Sequence, residues 1–324
     1  MSKVSINQDL PLRPEDISSE WLSSVLGCIV ESFTMTFTTL NATTGKVFVT
    51  ISYKHTVETD RPTHVCLKGS FNPSMMALEG YRELLLAMYT REVEFFNQIA
   101  PRIPAIKLPK VWRALASTHQ GLLVMDDLYQ MGYTFGEPAI PWAVDKVVAG
   151  VEQLAVLHAA TWNTTEYPWL TPSYEEVMIG LADQWENVVL GADRPPIPDM
   201  IQNKDRTVAA MRKHFATKNS KFLCVVHGDP HLGNTFLDRE GQPGFLDWQT
   251  AHIGSAFHDV AYFVIGSLSI DDRQEHEIAI LERYLAQLAR LGCSRLSAQE
   301  EDVLTEYKKS MMAGMGWVLT PFAI

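Results

Sequence analysis

The sequence predicts an α+β fold in two parts, strand-rich at the N-terminus and mainly helical after it. Three observations predict it. Runs rich in Val, Ile, Phe and Thr with partial period-two alternation crowd the stretch before residue 128. Apolar residues at helical spacing dominate 141–162, 199–218, 256–267, 271–292 and 297–315. Residues 222–249, FLCVVHGDPHLGNTFLDREGQPGFLDWQ, set short apolar β-like runs around a dense group of His, Asp and Asn.

Taken in order, Pro14, Glu15 and Asp16 suit the first turn of a helix over 14–26. Ile17, Trp21, Leu22 and Val25 share one face of it, and Gly27 closes it. Residues 29–40 and 46–54 read as antiparallel strands joined by Asn41-Ala42-Thr43-Thr44-Gly45. Residues 64–71, HVCLKGSF, make a third strand, with Lys68 a lone cation in apolar surroundings. Burying it is costly unless it is paired. An edge-strand lysine reaching water is the plain alternative. A long helix over 76–100 offers Glu92 and Glu94 as partners. Pro101, Pro104 and Pro109 end it, and strands follow at 111–117 and 121–128.

Helix 141–162 carries His158 on its apolar face, where a hydrogen-bonded core histidine is expected. Residues 163–220 are the least specific third. Trp169, Tyr174, Met178, Leu181, Trp185 and Val188 suggest one amphipathic helix there, and 199–218 a second. After Asp247, His252-Ile253-Gly254 turns the chain into an apolar helix with His258 and Asp259. A buried Asp at that place is expected to fix loop geometry.

Composition bounds the function. The chain of 324 residues is 46% hydrophobic and 20% charged, ordinary for a globular protein with a sizeable core. A formal net charge of -11 argues against a nucleic-acid partner, whose phosphates want basic surfaces. Cys28, Cys66, Cys224 and Cys293 are scattered without CxxC spacing, which fits a reducing compartment. MSKVSINQDLPLRPED lacks the apolar core of a signal peptide, and no uncharged apolar run approaches ~20 residues. A cytoplasmic protein without a membrane span is expected.

The chemistry lies in 222–249, where Asp229 precedes Asn234 by five positions and Asp247 by eighteen. Singly, each of these is a common turn or cap residue. Together they suit phosphoryl transfer, which asks for metal ions against the phosphates and an acceptor hydroxyl held in line. Asn234 and Asp247 offer hard oxygen ligands for Mg²⁺. Asp229 is placed to take the acceptor proton or to orient the hydroxyl. The order reproduces the kinase logic of a catalytic Asp, an Asn five residues on and a metal-binding Asp after a hairpin. HGD stands for the usual HRD and DWQ for DFG. A zinc hydrolase built on His227, Asp229 and His231 is a further reading, but it lacks more His ligands at suitable spacing.

HGDPHLGN followed by FLDWQ resembles the aminoglycoside phosphotransferase and choline-kinase-like small-molecule kinases. The closest likeness is to the ecdysteroid-kinase-like branch, which HIGSAFHDVAYFVIGSLSIDDR also resembles. The likeness is strongest from about Arg91 to Arg273. It implies a two-lobed protein-kinase-like fold, with 1–128 the ATP-binding lobe including the hinge and 129–324 the catalytic and acceptor-binding lobe. ATP and Mg²⁺ are the implied cofactors and a small-molecule hydroxyl the implied acceptor. Asp229 becomes the catalytic residue, with Asn234 and Asp247 on the metal. His227 orients the loop. Lys68 would contact the ATP phosphates, braced by Glu92, since REVEFFNQIAPRIP resembles the family segment that supplies this partner. The Gly45 hairpin would cover the phosphates, and adenine would bond to backbone around Met125 to Asp127.

Two departures stand out. The phosphate-covering loop keeps only Gly45, leaving Asn41, Thr43 and Thr44 as donors. The chain ends at GMGWVLTPFAI, where relatives often add a further helix, so a short or divergent C-terminal part is expected. Trp162, Trp169 and Trp185 are candidates for an apolar acceptor pocket, although aromatics at helical spacing are more often core, and the acceptor reads best as a lipophilic alcohol. The alternative is a catalytically silent kinase-fold protein that binds a metabolite or partner.

Overall fold

The computed structural model describes residues 10–320 except 42, 55–60, 171–172, 193 and 218, and describes 173–176 by backbone alone. Ala42 and the Tyr174 side chain therefore lie outside the described parts. The chain forms two compact units. Met1–Arg102, Leu108–Thr134 and Asp247–Gln249 make the first; Ile103–Lys107, Phe135–Leu246 and Thr250–Ile324 make the second.

In the first unit, Pro14–Asp16 is a separate turn and α1 runs Ser19–Leu26, so the helix expected over 14–26 is shorter. The Ser18 side chain accepts the Trp21 N–H (3.1 Å) and caps the later start, and Gly27 at φ 69° ends it. Strands β1 (Val30–Leu40), β2 (Gly45–Tyr53), β3 (His64–Gly69), β4 (Val111–Ala116) and β5 (Gly121–Asp126) form one antiparallel sheet in the order β1-β2-β3-β5-β4. Alternation sorts their side chains. Val47, Val49, Ile51, Val65, Leu67, Leu122 and Val124 pack with Trp21, Leu22 and Val25 of α1. Phe48, Cys66, Leu123 and Met125 pack on the opposite face with Val93.

Val93 belongs to α2 (Tyr81–Glu94), which continues as one π-helical turn over Phe95–Ile99. The helix expected from 76 to 100 is broken at its start. Asn72 caps a single turn at Pro73–Met76, and Gly80 takes φ 76°, a left-handed conformation that no helix continues through.

In the second unit, α3 (Val144–Ala160) packs on α7 (Ile270–Arg290) and on the apolar α6 (Ala256–Ser267). Phe257 and Phe263 of α6 and Tyr284 of α7 are fully buried among them. Between 163 and 220 the helices are shorter than expected. They are α4 (Ser173–Leu181), a turn at Trp185–Val188 and α5 (Lys204–Ala216). Asn203 accepts the Arg206 N–H (2.9 Å) and so restarts the helix expected over 199–218. Toward the C-terminus, α8 (Glu301–Ser310) leads to α9 (Met315–Leu319). Short strands carry the polar loop. β6 (Leu223–Val226) pairs with β9 (His252–Ser255), and β7 (Thr235–Leu237) pairs with β8 (Pro243–Phe245). Among the described residues no helix is long and apolar enough to cross a membrane.

Candidate active site

In the first unit, β3 and α2 bring Lys68 and Glu92 together. Period-two alternation puts Lys68 on the same face as Cys66, toward α2. Its ammonium, 4% exposed, donates to Glu92 Oε1 (2.7 Å) and lies 3.1 Å from Asp247 Oδ1. Burial opposes the Lys68 charge, but Asp247 and Glu92 together outweigh it and hold the ammonium above its ordinary range. Burial pushes the Glu92 carboxyl up, against the pull of Lys68 and of the Trp248 N–H that it accepts at 3.1 Å. Glu94 is not the lysine's partner; it accepts from Gln98 one turn further along.

Three contacts fix the Asp247–Gln249 segment on α2. Trp248 N–H meets Glu92, the Trp248 ring stacks on Phe95 at 3.9 Å, and Arg91 donates to the Gln249 carbonyl (2.9 Å). Asp247 itself takes φ 62°, a conformation that costs a non-glycine residue energy and recurs at functional sites. Its carboxylate stays 28% exposed.

The second unit presents the loop after β6. Gly228 takes φ 89°, and a Cβ there would stand 2.5 Å from the Thr250 carbonyl oxygen, so only glycine fits. Asp259 of α6, fully buried, accepts the His227 N–H (2.6 Å) and the Gly228 N–H (2.9 Å). His158 Nε2 donates to the same carboxylate (3.0 Å), while its Nδ1 meets the Tyr284 hydroxyl (2.8 Å). His158 is thus a core histidine that reaches the loop through Asp259. Burial works against the Asp259 charge, but the hydrogen bond from His158 and the positive character of His158, His258 and His227 outweigh it and bring it to about 2. His258 adds a bond to the Gly228 carbonyl (2.9 Å). His227 is buried with Nε2 on the Leu246 carbonyl (2.8 Å). The loop backbone is therefore tied down on both sides while the Asp229 carboxylate remains 34% exposed.

Asn234 donates its amide nitrogen to the Asp229 carbonyl (2.9 Å) and to Asp229 Oδ2 (3.3 Å). Both bonds use the amide nitrogen and neither engages the amide oxygen. Its backbone carbonyl accepts the N–H of Leu246, the residue before Asp247 (2.8 Å). The Asn234 amide oxygen in the second unit and the Asp247 carboxylate in the first are each hard donors of the kind Mg²⁺ takes. Among the described residues no group of three His, Cys, Asp or Glu gathers as a metal site, which leaves the zinc reading without ligands.

The remaining predicted residues have structural partners. Gly45 pairs with Leu40 and Gly69 where a Cβ would meet Phe71 Cβ at 2.7 Å, so close packing requires this glycine. The Thr44 N–H goes to Asn41 Oδ1 (2.8 Å), and Tyr89 holds the Thr43 carbonyl (2.5 Å). Met125 is buried in β5 between β3 and β4. The Asp127 side chain caps Tyr129 (3.0 Å), its N–H donates to the His64 carbonyl (3.3 Å) and its carbonyl accepts from Met131 (3.2 Å). Trp185 is core, with its N–H on the Gln202 carbonyl (3.2 Å); Trp169 meets Tyr167, and Trp162 is half-buried. In the sequence, Arg91 and Phe95 are visible only as part of a helix, with nothing to mark them as holding the Asp247–Gln249 segment.

A model of the ecdysteroid kinase-like family matches residues 45–296. Among solved structures, an aminoglycoside-3′-phosphotransferase of type VIII superposes with a TM-score of 0.50 at 14% identity, covering 87% of this chain and 93% of that one. The GDP and kanamycin complex of APH(2″)-IIIa gives 0.50 at 8% identity, covering 92% and 90%. The choline kinase LicA from Streptococcus pneumoniae gives 0.49 at 12%, covering 93% and 88%. The two at 0.50 identify a protein-kinase-like fold. No curated protein sequence matches the chain.

Proposed function

The chain belongs to the ecdysteroid kinase-like family, a family of kinase-like phosphotransferases, and from this premise we propose that it transfers the γ-phosphate of ATP to a hydroxyl of a small molecule. The observation that carries the reading is the buried Lys68 held between Glu92 and Asp247. A desolvated ammonium with two carboxylates is an expensive arrangement for stability alone. It suits a cation kept charged and aimed at nucleotide phosphates.

Asp229 orients the acceptor hydroxyl and takes its proton. Its carboxylate is exposed enough to meet an acceptor, and Asn234 fixes its orientation. Asp259 and His258 keep the loop from moving as the proton transfers. Asn234 and Asp247 would hold Mg²⁺, which supplies charge neutralisation at the phosphates when bound. Gly45 and the backbone from Met125 to Asp127 are the proposed nucleotide contacts; because the Asp126 and Asp127 N–H groups already serve the Lys110 and His64 carbonyls, the contact at those two residues falls to carbonyl oxygens, which have a second lone pair. The family's name and the half-buried tryptophans favour a lipophilic alcohol as acceptor.

The test is γ-phosphate transfer from ATP to an alcohol panel with wild type and Asp229→Asn. Loss of at least about a hundredfold in kcat with unchanged folding supports the assignment. Full transfer by the variant would sink it. One feature favours the second reading, a silent kinase fold: the phosphate-covering loop keeps a single glycine, already used for packing on Phe71. Calorimetry with a non-hydrolysable ATP analogue, with and without Mg²⁺ and beside Asp247→Ala, separates the two. No binding by wild type would favour the silent fold.

A further inference from the structure

A column of rings runs from the catalytic loop to the C-terminal helix within the second unit. His258, bonded to the Gly228 carbonyl, stacks on Tyr262 (centroids 6.1 Å, planes 11° apart). Tyr262 stacks on Trp317 of α9 (6.1 Å, 22°), and Trp317 meets the His231 ring edge-on (5.1 Å, 73°). His231 Nδ1 accepts the Gly233 N–H (3.0 Å), so Nε2 carries the proton and lies 3.6 Å from Asp229 Oδ2. The indole therefore stands one side chain away from the proposed base.

A five-residue helix has no stability of its own, yet α9 is pinned. The Arg194 guanidinium donates to the carbonyls of Trp317 (2.7 Å), Thr320 (2.8 Å) and Val318, a cation at a helix C-terminus. Leu319 is buried with Met178, Trp185 and Met211. The indole also lies along Gly266 of α6, where a Cβ would stand in ordinary contact with it at 3.7 Å. Trp317 is thus held by Tyr262, Gly266 and His231 and remains half-buried. A rigid aromatic fixed in advance gives contact area at little entropic cost.

We propose that Trp317 is the specificity-determining wall of the acceptor site, selecting alcohols that lay an apolar ring face against the indole beside Asp229. Arg194, from the 163–220 segment, pins the helix that carries it. The inference rests on the phosphotransfer reading above.

The experiment measures phosphate transfer to three probes, the steroid polyol 20-hydroxyecdysone, kanamycin A and choline, by wild type, Trp317→Ala and Trp317→Phe. Steroid binding and Mg–ATP binding are followed by calorimetry on the same preparations. The steroid should be the preferred acceptor. Its KM should rise about tenfold or more in Trp317→Ala and return to within about threefold of wild type in Trp317→Phe. The KM for ATP and kcat at saturation should move less than about threefold. An unchanged steroid KM in Trp317→Ala, a preference for kanamycin or choline, or absent steroid binding would overturn the inference while ATP use stands. Absent ATP binding by wild type would instead remove the phosphotransfer reading. Calorimetry of the steroid with Trp317→Ala would still judge the wall, because it needs no turnover.

Discussion

Lys68 shows how far one residue can be read from sequence. A lone lysine in an apolar strand announced that it needs a partner, and alternation gave the face it occupies. Which glutamate answers it was not legible from spacing alone, because Glu92 and Glu94 are two positions apart on one helix. The resemblance chose Glu92, whose carboxylate is the one 2.7 Å from the ammonium. The role of Asp259 was legible in outline, but its two bonds to the His227 and Gly228 N–H groups depend on a fold that brings residues 31 and 32 positions apart together. The Lys68 geometry also sets an energetic expectation. Glu92 is nearly without solvent, so Lys68→Ala leaves a buried carboxylate without its cation. Removing one partner of a buried pair costs about 3 kcal/mol, whereas replacing both with apolar groups is close to neutral. Lys68→Ala should therefore lower the denaturation midpoint strongly, and Lys68→Met with Glu92→Leu should recover most of the loss. A Lys68→Ala midpoint equal to that of wild type would show that the pair is not desolvated.

Elements were legible where one signal dominated. The apolar run over 256–267 forms α6 with the expected bounds, and the hairpin of β1 and β2 follows its alternation. Elements failed where a single residue redirects the backbone. Ser18, Gly80 and Asn203 each restart a helix that periodicity alone runs through. Packing between elements was the least legible, and it governs the site. A Cβ at Gly121 of β5 would lie 2.6 Å from Tyr89 Cβ and 2.9 Å from the Tyr89 carbonyl carbon. Backbone cannot give as a side-chain tip can, so Gly121→Ala should push α2 off the sheet. That displacement carries Glu92 away from Lys68. The variant should lose about 1–3 kcal/mol of stability and bind Mg–ATP measurably more weakly by calorimetry. Unchanged nucleotide affinity would show that the position of α2 does not govern the lysine.

Across the whole molecule, the groups that respond to acid are divided between the units. Asp259 has a folded value of about 2 against an ordinary 3.8. A depressed carboxylate contributes stability that is present above its unfolded value and is lost as pH falls through its folded one. For Asp259 that window runs from about pH 4 to 2 and is worth about 2 kcal/mol, all in the second unit. Asp238 acts with the same sign. Burial opposes its charge, but Lys107 and the Gln242 and Glu240 N–H groups prevail and hold it low. Glu92 in the first unit acts with the opposite sign. Its folded value is raised by burial, so its contribution is full at low pH and fades as pH rises through that value. Acidification should therefore loosen β6 to β9 of the second unit before β3 and β5 of the first. Hydrogen exchange between pH 5 and 2.5, corrected for the intrinsic pH dependence of exchange, reads the order directly. Asp259→Asn should lower protection of β6 already at neutral pH and flatten its acid limb, because the group that titrates is gone. Simultaneous deprotection of both sheets, or an acid limb unchanged in Asp259→Asn, would place the acid sensitivity elsewhere.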